Sequence, residues 1–240
     1  MKFLKSTHQP DASRGEFMGN GRRNEVWESG VSVQRFREGP DGISAEARRR
    51  VALAFRQPKN HFGASKLYDE AQTHETLQAA GIPVAHATYR LAPDNGGVFC
   101  TDLTRGGKNF VFSDTNRTSQ DGEWKAALES KEEVPAPNCE QALDSLVSIA
   151  MQCAGINREI MLADAFYFII DKRTRFINVV IGDYKHVIRG QSDPDFILKN
   201  NLDVARQAAV SKHDVFGVSV EKINAWFDRK EEAIVGGAAA

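Results

Sequence analysis

Asn157-Arg158-Glu159-Ile160-Met161-Leu162-Ala163-Asp164, followed by Ala165-Phe166-Tyr167-Phe168-Ile169-Ile170 and, after a short gap, by Phe176-Ile177-Asn178-Val179-Val180-Ile181-Gly182-Asp183-Tyr184, is the stretch whose reading decides the fold. Its two apolar runs are strand-like, and the polar link Asp171-Lys172-Arg173-Thr174-Arg175 between them reads as a hairpin turn. An acid then stands before the first strand and another after the second, at the same end of the ribbon. Carboxylates gathered in this way suit a divalent metal and a polyphosphate. Asp164 and Asp183 are the expected hard-oxygen ligands, and Glu159 is placed to accept a proton from a substrate hydroxyl. Asp183 is the firmest of the three, because a charge at the end of an apolar strand is costly unless it is used. The plainer readings are a turn aspartate for Asp164 and a solvated loop acid for Glu159.

The rest of the chain divides around this hairpin. With 240 residues it suits one larger domain or two small lobes, and it is long enough to bury a core. Charged residues make up 26% and hydrophobic ones 41%, as in water-soluble globular proteins, and no apolar run approaches the length of a membrane span. A net charge of −1 gives no global pull towards nucleic acid or membrane. Cys100, Cys139 and Cys153 are scattered without metal-ligand spacing and read as reduced thiols, so the expected location is cytoplasmic.

Residues 14–37 read as a strand, a glycine turn and a hairpin, with Glu28-Ser29-Gly30 as the tight turn. Residues 44–56 read as a basic helix; its Arg48-Arg49-Arg50 could touch phosphates but fits a solvated face better. A stronger helix spans residues 66–80, with Leu67, Ala71, His74 and Leu77 as its apolar stripe and Glu70 on the margin. Strands follow at 87–91 and 97–100, then the linker Thr101-Asp102-Leu103-Thr104-Arg105-Gly106-Gly107. Residues 116–138 are polar and proline-bearing, and read as a mobile excursion or a connection. Helices are expected from 139 to a Gly155 cap, from 194 to 210 behind the N-cap Asp193, and from 219 to 234.

Gly19-Asn20-Gly21-Arg22-Arg23-Asn24-Glu25-Val26 carries a glycine pair that would let backbone amides approach phosphates, with Arg22 assisting. A plain hairpin turn explains the same residues. Arg35 and Gln34 lie on the strand beyond, where a cation could grip phosphate, and Glu70 could orient it. The six histidines form no cluster, and no Ser/His/Asp or Cys/His arrangement is visible.

In order and spacing, these pieces resemble the protein-kinase-like superfamily, in a small and divergent bacterial or phage form. The glycine loop G-x-G-x-x-G-x-V is matched by Gly19, Gly21 and Val26, with Asn24 for the third glycine. Val31-Ser32-Val33-Gln34 resembles V-A-I-K, with Gln34 in the lysine position, Arg35 beside it and Glu70 as the helix glutamate. Phe99-Cys100-Thr101-Asp102-Leu103 resembles the strand and hinge on which adenine sits. The catalytic loop resembles Asn157–Asp164, with Glu159 for the base and Asp164 for the metal-binding asparagine; a second alignment makes Asp164 the base. Asp183-Tyr184-Lys185 stands for D-F-G, and no A-P-E segment is visible.

The resemblance implies an α+β, two-lobed kinase-like fold with a reduced helical C-terminal lobe. It divides the chain into a strand-rich lobe (residues 1–100), a hinge (101–107) bearing the nucleotide cleft, and a helical lobe (108–240). It implies ATP and Mg2+ as cofactors and transfer of the γ-phosphoryl group to a hydroxyl of a protein or small-molecule acceptor. The competing implication is a pseudokinase that binds a partner protein, favoured by Gln34, Asn24 and Glu159 and opposed by the retention of all three acids. No membrane partner is expected, and nucleic acid ranks last.

Overall fold

The computed structural model describes residues 17–20, 24–35, 48–58, 61–85, 87–90, 97–101, 103–105, 107–113, 120–129 and 134–237. The fold is mixed α+β, with small antiparallel sheets. Two compact units make up the chain: Met1–Ala71 with His86–Gly106, and Gln72–Ala85 with Gly107–Ala240.

The first unit is built on a five-stranded antiparallel sheet formed by β1 (Phe17–Asn20), β2 (Asn24–Arg35), β3 (Arg48–Pro58), β4 (Ala87–Arg90) and β5 (Gly97–Thr101), in the order β1-β2-β3-β5-β4. Helix α1 (His61–Ala79) connects β3 to β4. Two expectations are corrected here. Residues 48–56, expected within a basic helix spanning 44–56, belong instead to strand β3. Val51, Leu53 and Phe55 alternate with alanines and arginines, a period of two that suits a sheet. Glu28-Ser29-Gly30 is not a turn: β2 runs through it, and the register on β3 slips between Ser29 and Val31, leaving Gly30 as the extra residue of a bulge.

The second unit holds a three-stranded antiparallel sheet, β6 (Asn109–Ser113), β8 (Phe166–Asp171) and β9 (Ile177–Ile181), in the order β6-β8-β9. A separate two-stranded ribbon pairs β7 (Arg158–Ile160) with β10 (Val187–Arg189). The β8–β9 hairpin forms as expected. At its turn, the Asp171 carboxylate accepts hydrogen bonds from the Arg173 and Thr174 amides and from the Thr174 hydroxyl. Those bonds hold the Asp171 carboxyl below its usual range, the Thr174 amide contributing most.

Around these sheets lie α2 (Gln120–Glu129), α3 (Cys139–Gly155), α4 (Pro194–Ser211), the short α5 (His213–Phe216) and α6 (Val220–Gly237). The segment expected to be a mobile excursion contains α2. A single anchor accounts for it: Trp124 is buried and stands edge-on to Phe110 and Phe112 of β6, 5.2 and 5.7 Å between centroids. At the end of α3 the residue with positive φ is Asn157 (54°), two positions beyond the expected Gly155. Asp193 caps α4 as expected, its carboxylate accepting the Asp195 amide at 2.9 Å.

The core joins the apolar stripe of α3 (Leu146, Ile149, Ala150, Cys153) to that of α4 (Ile197, Ala205, Ala208) and to Phe227 of α6, all buried. Phe168 of β8 stands edge-on to Phe216 at 5.6 Å. Burial pushes the Cys153 thiol up to about 12. Among the described residues no helix is long and apolar enough to cross a membrane.

Candidate functional site

Phe166 pairs with Ile181, so the open end of the β8–β9 hairpin places the residues before β8 beside those after β9. The former make a 3-10 turn, Ala163–Ala165, in which Ala163 and Ala165 are buried and Asp164 between them is partly exposed. The Ala165 carbonyl accepts both the Gly182 amide, at 2.9 Å, and the Asp183 amide, at 3.4 Å. One carbonyl thus ties the Asp164 turn to the Asp183 segment, as the hairpin parity requires.

Gly182 is needed for this junction. A β-carbon there would lie 2.4 Å from the ring of Tyr167, the β8 side chain that covers it. Gly182→Ala should therefore push the ring or the strand end away and cost about 2 kcal/mol of stability. A denaturation midpoint equal to wild type would show that the ring does not lie there.

Beyond Gly182, the chain is held from both sides. The segment 82–85 runs along β9: Val84 bridges Ile181, and Ala85 donates to the Ile181 carbonyl at 2.9 Å. Tyr184 is buried, its hydroxyl donates to the Ala85 carbonyl, and its ring stands edge-on to His74 at 5.0 Å. Asp183 sits between these anchors with its side chain only 13% exposed. Its Oδ2 takes the Lys185 ammonium at 2.5 Å and lies 3.8 Å from His186 Nε2. Its Oδ1 is buried and has no hydrogen-bond partner among the described residues.

A buried carboxylate oxygen without a partner loses its hydration and gains nothing in return. A hard cation would restore what burial removes. Among the described residues no three His, Cys, Asp or Glu side chains gather to hold a metal. Magnesium does not require them, since it is held by one or two carboxylates completed by water and phosphate oxygens. Asp183, with Asp164 on the adjoining turn, fits that donor set.

Glu159 belongs to a different piece of structure. It lies within β7, opposite Ile188 of β10, rather than in the loop expected for it. The other edge of β7 is closed by Asn201 of α4, a fully buried side chain. Its Oδ1 accepts the Ile160 amide at 2.7 Å, and its Nδ2 donates to the carbonyls of Arg158 (2.9 Å) and Ala150 (3.2 Å). The carboxamide takes the place of a third strand, and it is the residue sequence reasoning missed. The signal was present: Asn201 follows Ile197 by four and precedes Ala205 by four, on the buried stripe of α4. Glu159 does not join Asp164 and Asp183 in a three-ligand group; Met161 links its strand to their neighbourhood through the His186 carbonyl, at 2.8 Å.

In the first unit, Glu70 is buried and accepts a hydrogen bond from the Tyr89 hydroxyl at 3.4 Å. Gly19 lies in β1 opposite Val26, and Thr101 ends β5 opposite Leu53. Gly21, Arg22 and Asp102 lie outside the described residues. Gln34 and Arg35 close β2, opposite Arg49 and Arg48, and so sit on the second strand of the sheet. The strand that leads into α1 is β3, where Arg56 pairs with Val26 on one side and Val98 on the other.

No family model and no curated protein matches the chain.

Proposed function

We propose that this protein is a magnesium-dependent nucleotide phosphotransferase with a kinase-like fold, which passes the γ-phosphoryl group of ATP to a hydroxyl. The observation that carries the reading is the buried, unpartnered Oδ1 of Asp183, fixed beside the turn of Asp164. Asp183 and Asp164 would hold Mg2+, which would supply positive charge to offset that of the phosphates. Glu159 would orient the acceptor hydroxyl; in the alternative assignment Asp164 does so, and its tie to the Asp183 segment favours it. Exposed Met161 and Leu162 flank the turn and give an acceptor an apolar approach.

Topology supports the kinase-like part of the reading. A five-stranded antiparallel sheet with its helix between the third and fourth strands precedes a helical unit with a short acidic hairpin. In this reading the third-strand cation is Arg56, in place of Gln34 or Arg35. The roles of Gly19, Gly21, Arg22, Thr101 and Asp102 rest on the resemblance alone.

Thermal melts test the reading. At about a hundred dissociation constants of ligand, ATP with magnesium should stabilise by about 2.7 kcal/mol, a shift of roughly 5–10 °C for a chain of this size. The shift should need both components. A pseudokinase is the second reading, favoured by the Lys185 ammonium already lying on Asp183. It predicts a shift with ATP alone and no ADP release. No shift at millimolar ATP under either condition would reject nucleotide binding.

A further inference from the structure

Lys185 stands where the resemblance would place the glycine that follows a metal-binding aspartate and its aromatic neighbour. Its ammonium contacts Asp183 Oδ2 at 2.5 Å, and the two side chains differ sharply in exposure, 42% for the lysine against 13% for the aspartate. The pair covers one carboxylate oxygen and leaves the other, Oδ1, buried without a partner. A single ammonium is therefore an incomplete counter-ion for this carboxylate, and a flexible one, since it is carried on a long and largely exposed side chain.

We infer that Lys185 is a resident counter-ion that holds Asp183 in the metal-free protein and must leave it before a divalent cation binds. The inference rests on the proposed role of Asp183 as a metal ligand and adds a control on that site. Displacement needs no movement of the main chain. Tyr184, between the two residues, is anchored through its hydroxyl to the Ala85 carbonyl and through its ring to His74. The Asp183 carbonyl accepts the His186 amide at 3.3 Å, so the turn is closed on itself. Only the lysine side chain has to swing. A divalent ion would then win by its double charge, which satisfies the whole carboxylate, the buried Oδ1 included. The lysine also sets a threshold, because every metal ion must first displace it.

The probe is Mn2+ alone, without nucleotide, followed by electron paramagnetic resonance of the free ion at low salt. Wild type, Lys185→Gln, Lys185→Arg and Asp183→Asn would be compared. If the lysine occupies the carboxylate about four-fifths of the time, removing it should tighten Mn2+ binding about fivefold, since apparent affinity scales with the competent fraction. Lys185→Arg keeps a cation and should bind like wild type. Asp183→Asn should bind no Mn2+ at this site. Equal or weaker binding by Lys185→Gln would overturn the counter-ion role while leaving Asp183 as a ligand. Absence of Mn2+ binding in every variant would overturn the metal site, and the inference with it. Lys185 is well exposed, so the variants should fold, and a circular dichroism melt checks this directly.

Discussion

Asp183→Asn should abolish magnesium-dependent turnover, a loss on the order of 10³-fold, while leaving the protein as stable as before or slightly more so. Phosphoryl transfer depends on fixed charge and position, and removing a single preorganised electrostatic contact of that kind typically costs two to three decades in rate. Stability should behave in the opposite sense. The Asp183 carboxylate is mostly buried, one of its oxygens has no partner, and the other is held by an exposed lysine. Neutralising it removes a desolvation cost and forfeits only a partly exposed ion pair, worth about 1 kcal/mol at most. The two measurements therefore separate the readings. Wild-type turnover in the variant would remove the mechanism. Loss of turnover together with a large fall in the denaturation midpoint would make Asp183 a structural residue.

Much of the hairpin and helices around the candidate site was legible before the fold, and the reasons are local. The hairpin announces itself by two apolar runs and a five-residue polar link, and its parity alone puts Asp164 and Asp183 at one end. α4 carries its own start signal in Asp193-Pro194, and α3 its stripe of Ala142, Leu146, Ile149 and Cys153. What escaped was decided at long range. β7 and β10 have three residues each, too few to show a period, and they exist because they find each other across the hairpin. α2 is polar over most of its length and is fixed by Trp124 against β6. β3 hides its alternation because alanine, which suits either structure, fills its intervening positions at 52 and 54. The lysine on Asp183 was visible as a residue, but its contact was not.

Asn201→Leu should be among the most destabilising substitutions in the second unit, at about 2–6 kcal/mol. Leucine shares the branching of asparagine, though with bulkier methyls, and suits the apolar stripe of α4, so a hydrophobic core residue would seem welcome there. The main-chain groups around it decide otherwise. With the carboxamide gone, the Ile160 amide and the Arg158 carbonyl lose their described partner, while the Ala150 carbonyl keeps its place in the α3 ladder, and each buried unpaired group costs about 1–3 kcal/mol. That is a large share of the total stability of a domain, typically about 5–15 kcal/mol. Asn201→Asp should be comparably damaging near neutral pH for a different reason. It keeps an acceptor for Ile160 but turns the donor into a second carboxylate oxygen facing two carbonyls. Its folded-state pKa would be raised above the unfolded value, so the deficit should shrink as the pH falls and the new carboxyl protonates. Urea denaturation at two pH values reads both effects. The same clamp flanks Glu159 on either side and fixes the strand from which the chain enters the Asp164 turn. A magnesium-dependent activity measured well below the melting temperature should fall in Asn201→Leu even where the protein remains folded. An unchanged midpoint in Asn201→Leu would mean that α4 does not hold β7, and the placement of Glu159 would fall with it.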